Sequence, residues 1–320
     1  MQVTVLEAAP QPGLECSAVS AGGMQRSNPV LSRESWSDVI TSWLLPGQFQ
    51  FFHIVWSKVL VDPLFLRWFL RFSRASLLPD IELETRQREQ FRFTLFALER
   101  MHELLVALKL EEEVGLNSQG AIRVLSEGAP PSAGKLSSEP VQRLTKSQCV
   151  KVEPHLATWP EHWAAGDWET ESFAGNSEKF TAALARECRA LGVELCTNTR
   201  VVALEEEQGR VAKIITEKEV LDLGAGVEVV VAAGAWTPLL LATMGYFCPV
   251  YPMKGYSVAM DLPAKEAAST KLPGRMLIDG KLYVSRLGNQ VNSMATLTKV
   301  IFKGEPEKPR LPKSLKCSHT

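Results

Sequence analysis

The stretch Val230-Val231-Ala232-Ala233-Gly234-Ala235-Trp236-Thr237-Pro238 decides how the rest of the chain is read. Four small or β-branched apolar residues in a row read as a fully buried strand, because strands covered on both faces carry continuous apolar runs rather than alternation. Gly234 then breaks the strand into a tight turn, where the missing Cβ lets a ligand's polar chain lie against the backbone. A short packed helix is expected to follow. The apolar span 229–250 is long enough to suggest a membrane crossing. However, it holds Gly234, Thr237, Pro238 and Gly245 and abuts Glu228, which favours strand, turn and helix instead.

Upstream of this stretch, residues 177–191 form a clear amphipathic helix. Asn176 or Ser177 caps it, Phe180, Ala183, Leu184, Cys188 and Leu191 share a face, and Gly192 stops it. Val193 to Cys196, Val201 to Leu204 and Val211 to Ile215 read as strands, the last two joined through Gln208-Gly209. Helix, strand, meander and buried strand in this order are typical of half a dinucleotide-binding domain. At the start, residues 2–6 read as a core strand ending at Glu7, and Pro10, Pro12 and Gly13 force a loop after it.

The middle of the chain is less regular. Residues 34–75 are rich in aromatics divided by Pro46 and Pro63 and are expected in a core. Residues 83–113 repeat Phe91, Leu95, Leu98, Met101, Leu105 and Leu108 at helical spacing, with His102 at the surface. Gly, Pro and Ser clusters make 117–142 an exposed loop or short hairpin, and a short helix between Leu144 and Leu156 stops at Pro154. Val250 to Met260 gives a strand, and Met276 to Arg286 a hairpin turning at Asp279-Gly280. Beyond Val291 the pattern fades, and 303–316, rich in Lys, Pro and Glu, is expected to be disordered.

Composition narrows the class. The chain has 320 residues, 45% hydrophobic and 22% charged, with net charge −1, so it has no basic field to attract nucleic acid. Six scattered cysteines form no CxxC pair and no zinc spacing, which predicts free thiols in a reducing compartment and no metal. Met1 to Leu6 lacks a basic leader segment. Together these features point to the cytoplasm.

Four segments carry a family resemblance: Val3-Thr4-Val5-Leu6-Glu7, Leu14 to Gly23, Val230 to Trp236, and Pro249-Val250-Tyr251-Pro252-Met253-Lys254-Gly255-Tyr256-Ser257. Asp62-Pro63 through Trp68, Arg71 and Phe72 adds a fifth. They resemble the FAD-dependent amine and amino-acid oxidoreductases of the D-amino-acid oxidase superfamily, with the D-amino-acid dehydrogenases nearest. The resemblance implies an α/β chain, α+β overall, in which an incomplete Rossmann-like FAD-binding domain interleaves with a mixed-sheet substrate domain. It divides the chain into 1–48 (partial FAD-binding domain), 49–165 (helical and substrate-domain insertion), 166–245 (FAD-binding domain continued), 246–295 (substrate-domain strands) and 296–320 (tail).

The resemblance also implies roles. Glu7 would accept from the ribose hydroxyls of FAD. Ser17, Ser20, Ala21, Gly22 and Gly23 would pass along the pyrophosphate and flavin. Val201 would meet the adenine through its backbone, and Ala232 and Gly234 would flank the cofactor chain, with Trp236 either packing or contacting it. No acid–base pair is needed, since the cofactor carries the chemistry. For the substrate carboxylate the candidates are Arg286, whose guanidinium can pair both oxygens, then Tyr256 and Lys254. The implied activity is oxidative deamination of a D-amino acid, with a peripheral membrane or electron-acceptor contact permitted.

Two departures bear on that activity. The family places a strand and a GxGxxG turn about twenty residues before the acid, whereas Met1 stands five residues before Leu6. Gly224-Ala225-Gly226 precedes a strand rather than following one and is no substitute. After Val291 the family continues into further strands and a closing FAD segment, where this chain turns Lys- and Pro-rich. The chain therefore reads as cut at both ends. A catalytically inactive fragment, or an amine oxidase of the glycine/sarcosine type, is the alternative.

Overall fold

The computed structural model describes residues 2–25, 36–37, 40–41, 52–54, 61–128, 141–159, 163–252, 254–261, 273–279, 282–288 and 290–300. Its strands are β1 (Thr4–Leu6), β2 (Gly23–Met24), β3 (Phe52–Ile54), β4 (Ala121–Leu125), β5 (Val141–Thr145), β6 (Ala165–Glu169), β7 (Phe173–Ala174), β8 (Glu194–Cys196), β9 (Val201–Glu207), β10 (Arg210–Thr216), β11 (Val220–Asp222), β12 (Lys254–Asp261), β13 (Met276–Asp279), β14 (Leu282–Leu287) and β15 (Gln290–Val300). Its α-helices are α1 (Pro63–Ser76), α2 (Asp80–Ala107), α3 (Lys146–Val152), α4 (Ser177–Ala190) and α5 (Thr237–Thr243). The mixture of helix and mixed sheet matches the expected α/β class.

The largest sheet runs β12-β15-β14-β13-β4-β6-β5, with β3 also pairing β15. β13 lies parallel to β4, and their side chains fill both faces of the sheet. Ile122, Val124, Leu144, Cys149, Leu156, Trp163 and Leu277 form one buried cluster. α3 and the 3-10 turn Pro154–Thr158 supply Cys149 and Leu156 to it. Ala121, Met276 and Ile278, joined by Tyr283, form the opposite face. Thr145 and Gln148 make a reciprocal capping box that starts α3 directly after β5. At its far end Glu153 is buried, and its carboxylate accepts from the N–H groups of Gly274 and Arg275 and contacts His155 Nδ1 at 2.8 Å.

β1 pairs in parallel with β8, which follows α4. α4 begins at Asn176, whose side chain accepts from Lys179 N–H, and ends before Gly192 at φ +84°. Phe180 and Ala183 pack with Leu105, Leu110, Val114 and Phe173, so α4 meets the end of α2. β9 and β10 pair as expected, with Gln208 and Gly209 both at positive φ in their turn, and β11, which was not expected, adds to β10. The β13–β14 pairing matches the expected hairpin. α1 is capped by Asp62, which accepts from Leu64 and Phe65 N–H and from the Tyr251 hydroxyl at 2.9 Å. Phe65, Trp68, Phe69 and Phe72 stack along α1, with Tyr251 against Phe65 and Trp68. His102 is exposed as expected, and the five described cysteines are free.

Several expectations are corrected. Residues 227–233 form no strand, and Val230 is 87% exposed. A buried strand needs a hydrogen-bonded neighbour, and no described strand pairs with this segment. The turn at Gly234 and the helix after it are present as α5. β1 is a strand but not a core one, since Val3 and Val5 are 36% and 41% exposed. The exposed loop read over 117–142 contains β4, a buried inner strand. The fading pattern after Val291 is the strand β15, which runs to Val300 inside the expected tail. Residues 303–316, and the aromatics from Trp43 to Phe51, lie outside the described residues.

Candidate functional site

The end of β1 sets one wall. Glu7 N–H donates to the Cys196 carbonyl at 2.9 Å, and its own carbonyl accepts from Thr199 N–H at 2.8 Å. Its Oε1 accepts from Ala9 N–H at 2.8 Å, which turns the chain and fixes the carboxylate at the C-terminal edge of a parallel strand pair. That edge is where open α/β sheets bind ligands. Val201 opens β9 two residues after Thr199, so the structure brings Glu7 and Val201 together.

The second wall is the segment from Ser17 to Gly23. The Ser17 carbonyl accepts from Ser177 Oγ at 2.7 Å, tying the segment to the start of α4. Ser20 Oγ accepts from Gly22 N–H at 3.0 Å, and the Gly22 carbonyl accepts from Gly175 N–H at 3.0 Å. Gly22 sits at φ +69°, and a Cβ there would overlap the Gly175 carbonyl oxygen. Gly23 pairs with Ala174. Ala21 and Gly22 are buried, and the Ala21 carbonyl accepts from Ser285 Oγ. Leu287 and Met276 of the β13–β14 hairpin close the far side, against Gly22 and Gly23.

A third segment bridges to this wall. Trp236 Nε1 donates to Glu15 Oε2 at 3.0 Å while the indole stays 48% exposed. Ala232 is exposed, and Gly234 at φ +52° has open space where a Cβ would stand. The arrangement suits a long polar ligand. It offers a fixed acid at the end of β1, a clamped backbone turn at 20–23 and an exposed glycine at 234. The α4 N-terminus is occupied by the Asn176 side chain, whereas α5 follows the turn at Gly234 without a side-chain cap. The fixed Glu7 carboxylate and the Ser20–Gly23 backbone are chemically suited to the ribose hydroxyls and the polar chain of FAD.

The substrate candidates fare differently. Ser285 and Leu287 both turn toward Ala21 and Gly22. Arg286 lies between them on the strand and is turned to the opposite face by the period-two alternation, where its Nε donates to the Gly288 carbonyl at 3.3 Å. Arg286, expected as a substrate-carboxylate contact, thus lies on the face of β14 turned away from Ala21 and Gly22. Lys254 and Tyr256 lie on β12, where Tyr256 pairs with Ala295 and Lys254 with Lys299. The sequence reading missed Met276, Ser285, Leu287 and Gly175. Both faces of β14 are largely apolar in sequence, so nothing marked Ser285 as the residue that reaches back to position 21.

A family profile described as DAO, FAD dependent oxidoreductase, matches residues 1–300. D-amino acid dehydrogenases of Rhizobium johnstonii and Bradyrhizobium diazoefficiens are 28% and 27% identical, each over 90% of this chain and 68% of the relative. Glycine oxidase of Geobacillus kaustophilus superposes with a TM-score of 0.59 at 20% identity, over 91% of this chain and 64% of that one. L-amino acid deaminase of Proteus myxofaciens gives 0.55 at 15% identity, over 92% and 53%. The likeness to solved structures shows a shared fold, and the chain spans about two thirds of the length of the curated relatives it matches.

Proposed function

Because the chain belongs to the DAO family of FAD-dependent oxidoreductases, we propose that it serves flavin-dependent oxidation of a D-amino acid. Bound FAD supplies the acceptor for the hydride of the substrate Cα–H; the amino acid also loses a proton, and water converts the imine to a 2-oxo acid and ammonia. In this reading Glu7 accepts from the ribose hydroxyls, Val201 meets the adenine, and Ala232 and Gly234 flank the cofactor chain. Ser17 and Ser20 to Gly23 hold the flavin side. The segments 1–48 and 166–245 serve the cofactor and 49–165 and 246–295 the substrate. Lys254 and Tyr256 are the proposed carboxylate contacts.

The fixed carboxylate of Glu7 at the edge of the β1–β8 pair is the observation that carries the proposal. The experiment is an absorption spectrum of the chain after incubation with FAD and gel filtration. Retained flavin bands, bleached by D-alanine without oxygen, support it. Bleaching by glycine or sarcosine and not by D-amino acids would move the substrate to the glycine oxidase type, which the fold likeness also favours. A bare protein spectrum would leave an inactive member of the family.

We also propose a peripheral membrane contact, for which α1 supplies an observation. Its exposed arc, about 140° wide at 3.6 residues per turn, carries Leu66, Leu70, Arg67, Arg71 and Arg74 and no acid. Arg67 and Arg71 both lie over the Phe247 ring, at 4.2 and 4.8 Å. Leucines flanked by arginines suit an anionic lipid surface better than a purely polar partner. No helix among the described residues is long and apolar enough to cross a membrane. Sedimentation with phosphatidylglycerol vesicles but not phosphatidylcholine vesicles, lost in Arg67→Glu/Arg71→Glu, is the expected outcome; equal binding to both would refute it.

A further inference from the structure

Among the described residues the Ser20–Gly23 backbone is held by three hydrogen bonds, one of which reaches the large sheet. The Ser20 hydroxyl holds Gly22 N–H within the turn itself. Gly175 N–H holds the Gly22 carbonyl from the segment before α4. The remaining tie is the hydroxyl of Ser285, which donates to the Ala21 carbonyl across 264 residues of sequence. Ser285 is fully buried at 0% exposure and Ala21 is 5% exposed, so no water can replace the bond without opening the contact. Leu287 on one side and Met276 on the adjacent strand give this contact shape, but apolar side chains slide, whereas a hydrogen bond sets direction and distance.

We propose that Ser285 is a positioning residue whose hydroxyl sets where the Ser20–Gly23 backbone stands against the β13–β14 hairpin. Resting on the proposed flavin role of that backbone, the same bond sets the distance between the flavin and the substrate-side sheet. β14 suits the task because it is paired on both edges, to β13 and β15, so its side chains have fixed direction.

The test uses the whole chain with Ser285→Ala, Ser285→Cys and Ser285→Thr. Ser285→Cys keeps a weak donor in nearly the same volume, and Ser285→Thr keeps the hydroxyl and adds a methyl. Amide hydrogen exchange is read first, without cofactor. In Ser285→Ala, exchange across residues 21–24 should speed at least about tenfold, while peptides from β4 and β13 stay protected; Ser285→Cys should fall between, and Ser285→Thr should recover protection if the methyl is accommodated. FAD affinity, read by quenching of flavin fluorescence, should weaken about tenfold in Ser285→Ala, or about 1.4 kcal/mol, with loss of fine structure in the bound flavin band. Unchanged exchange at 21–24 in both Ser285→Ala and Ser285→Cys overturns the proposal whether or not FAD binds. Uniform acceleration across β4, β13 and 21–24 also overturns it, because it shows a general structural role. If exchange responds locally but the unaltered chain takes up no FAD, the positioning role stands and the flavin reading fails.

Discussion

Gly22→Ala should be among the most damaging single-methyl additions in this chain, and Gly209→Ala supplies its control. Both glycines have positive φ, +69° and +80°, so both substitutions place an L side chain where it costs about 1–2 kcal/mol. They differ in surroundings. At Gly209, in the β9–β10 turn, nothing lies within 4 Å of the new methyl. At Gly22 the methyl would overlap the Gly175 carbonyl oxygen, stand 2.9 Å from that carbonyl's carbon and 3.2 Å from Leu287 Cδ1. Relief requires the 20–23 turn to pull away. That movement stretches the 3.0 Å bond from Gly175 N–H, worth about 1 kcal/mol, and overpacking in a buried contact adds about 1–3 kcal/mol. The expected loss is about 4 kcal/mol for Gly22→Ala against about 1.5 kcal/mol for Gly209→Ala. Urea unfolding followed by far-UV circular dichroism measures both. With a slope of about 3 kcal/mol per molar, at the upper end for a small protein, the midpoints should fall by about 1.3 M and about 0.5 M. Equal shifts would refute the claim that the 20–23 backbone is wedged between Gly175 and the hairpin.

Ile122→Ala, at 0% exposure between α3 and the sheet, should cost about 2–5 kcal/mol, while Val230→Ala, at 87% exposure, should stay within about 0.5 kcal/mol; thermal melts of the pair decide whether the apolar run 230–233 is core. Glu153→Ala should cost about 3 kcal/mol, because it strands two backbone N–H groups at 274 and 275; a melt within experimental error of the parent would contradict that. Burial pushes the Cys149 thiol from 9.0 up to about 11, so at pH 8 iodoacetamide should modify exposed Cys16 first and Cys149 only after denaturation. The same shift has a sign for stability: the folded thiol keeps its proton where the unfolded one has lost it, so its contribution is full below pH 9 and is lost as pH rises toward 11. Cys149→Ala should flatten the alkaline limb of a stability–pH curve, and an identical limb in both proteins would exclude Cys149 as its source.

What could be read from sequence follows from how local each signal is. α4 carries its cap, its apolar face and its stop within seventeen residues from Asn176 to Gly192, and the β9–β10 turn is written in Gln208-Gly209. These elements need no distant partner to declare themselves. β4 was hidden because Arg123 interrupts its five residues and its burial comes from β13 and β6, far away in sequence. The run at 230 misled for the converse reason. Its composition satisfies a buried strand, but composition does not provide the neighbouring strand that burial requires. In the site, Glu7 and Ser20 to Gly23 were legible as an acid after a strand and a small-residue loop. Ser285 was not legible, because a serine in a strand acquires its meaning only from what lies across the sheet face.

The pleat also changes where substrate recognition should be sought. One hairpin strand sends Ser285 and Leu287 to the Ser20–Gly23 segment and Arg286 to the other side, so the arginine one residue from the contact faces away from it. Under the proposed reading, the carboxylate of an amino acid held against the 20–23 backbone is met from the face that carries Met276 and Tyr283, or from β12. Tyr283 packs beside Ala121, Met276 and Ile278 on that face and is half-buried. Arg286→Ala should therefore leave the Michaelis constant for the substrate within about twofold, while Tyr283→Phe should raise it. A large rise for Arg286→Ala, with the melt unchanged, would show that the guanidinium reaches the substrate despite the alternation of the strand.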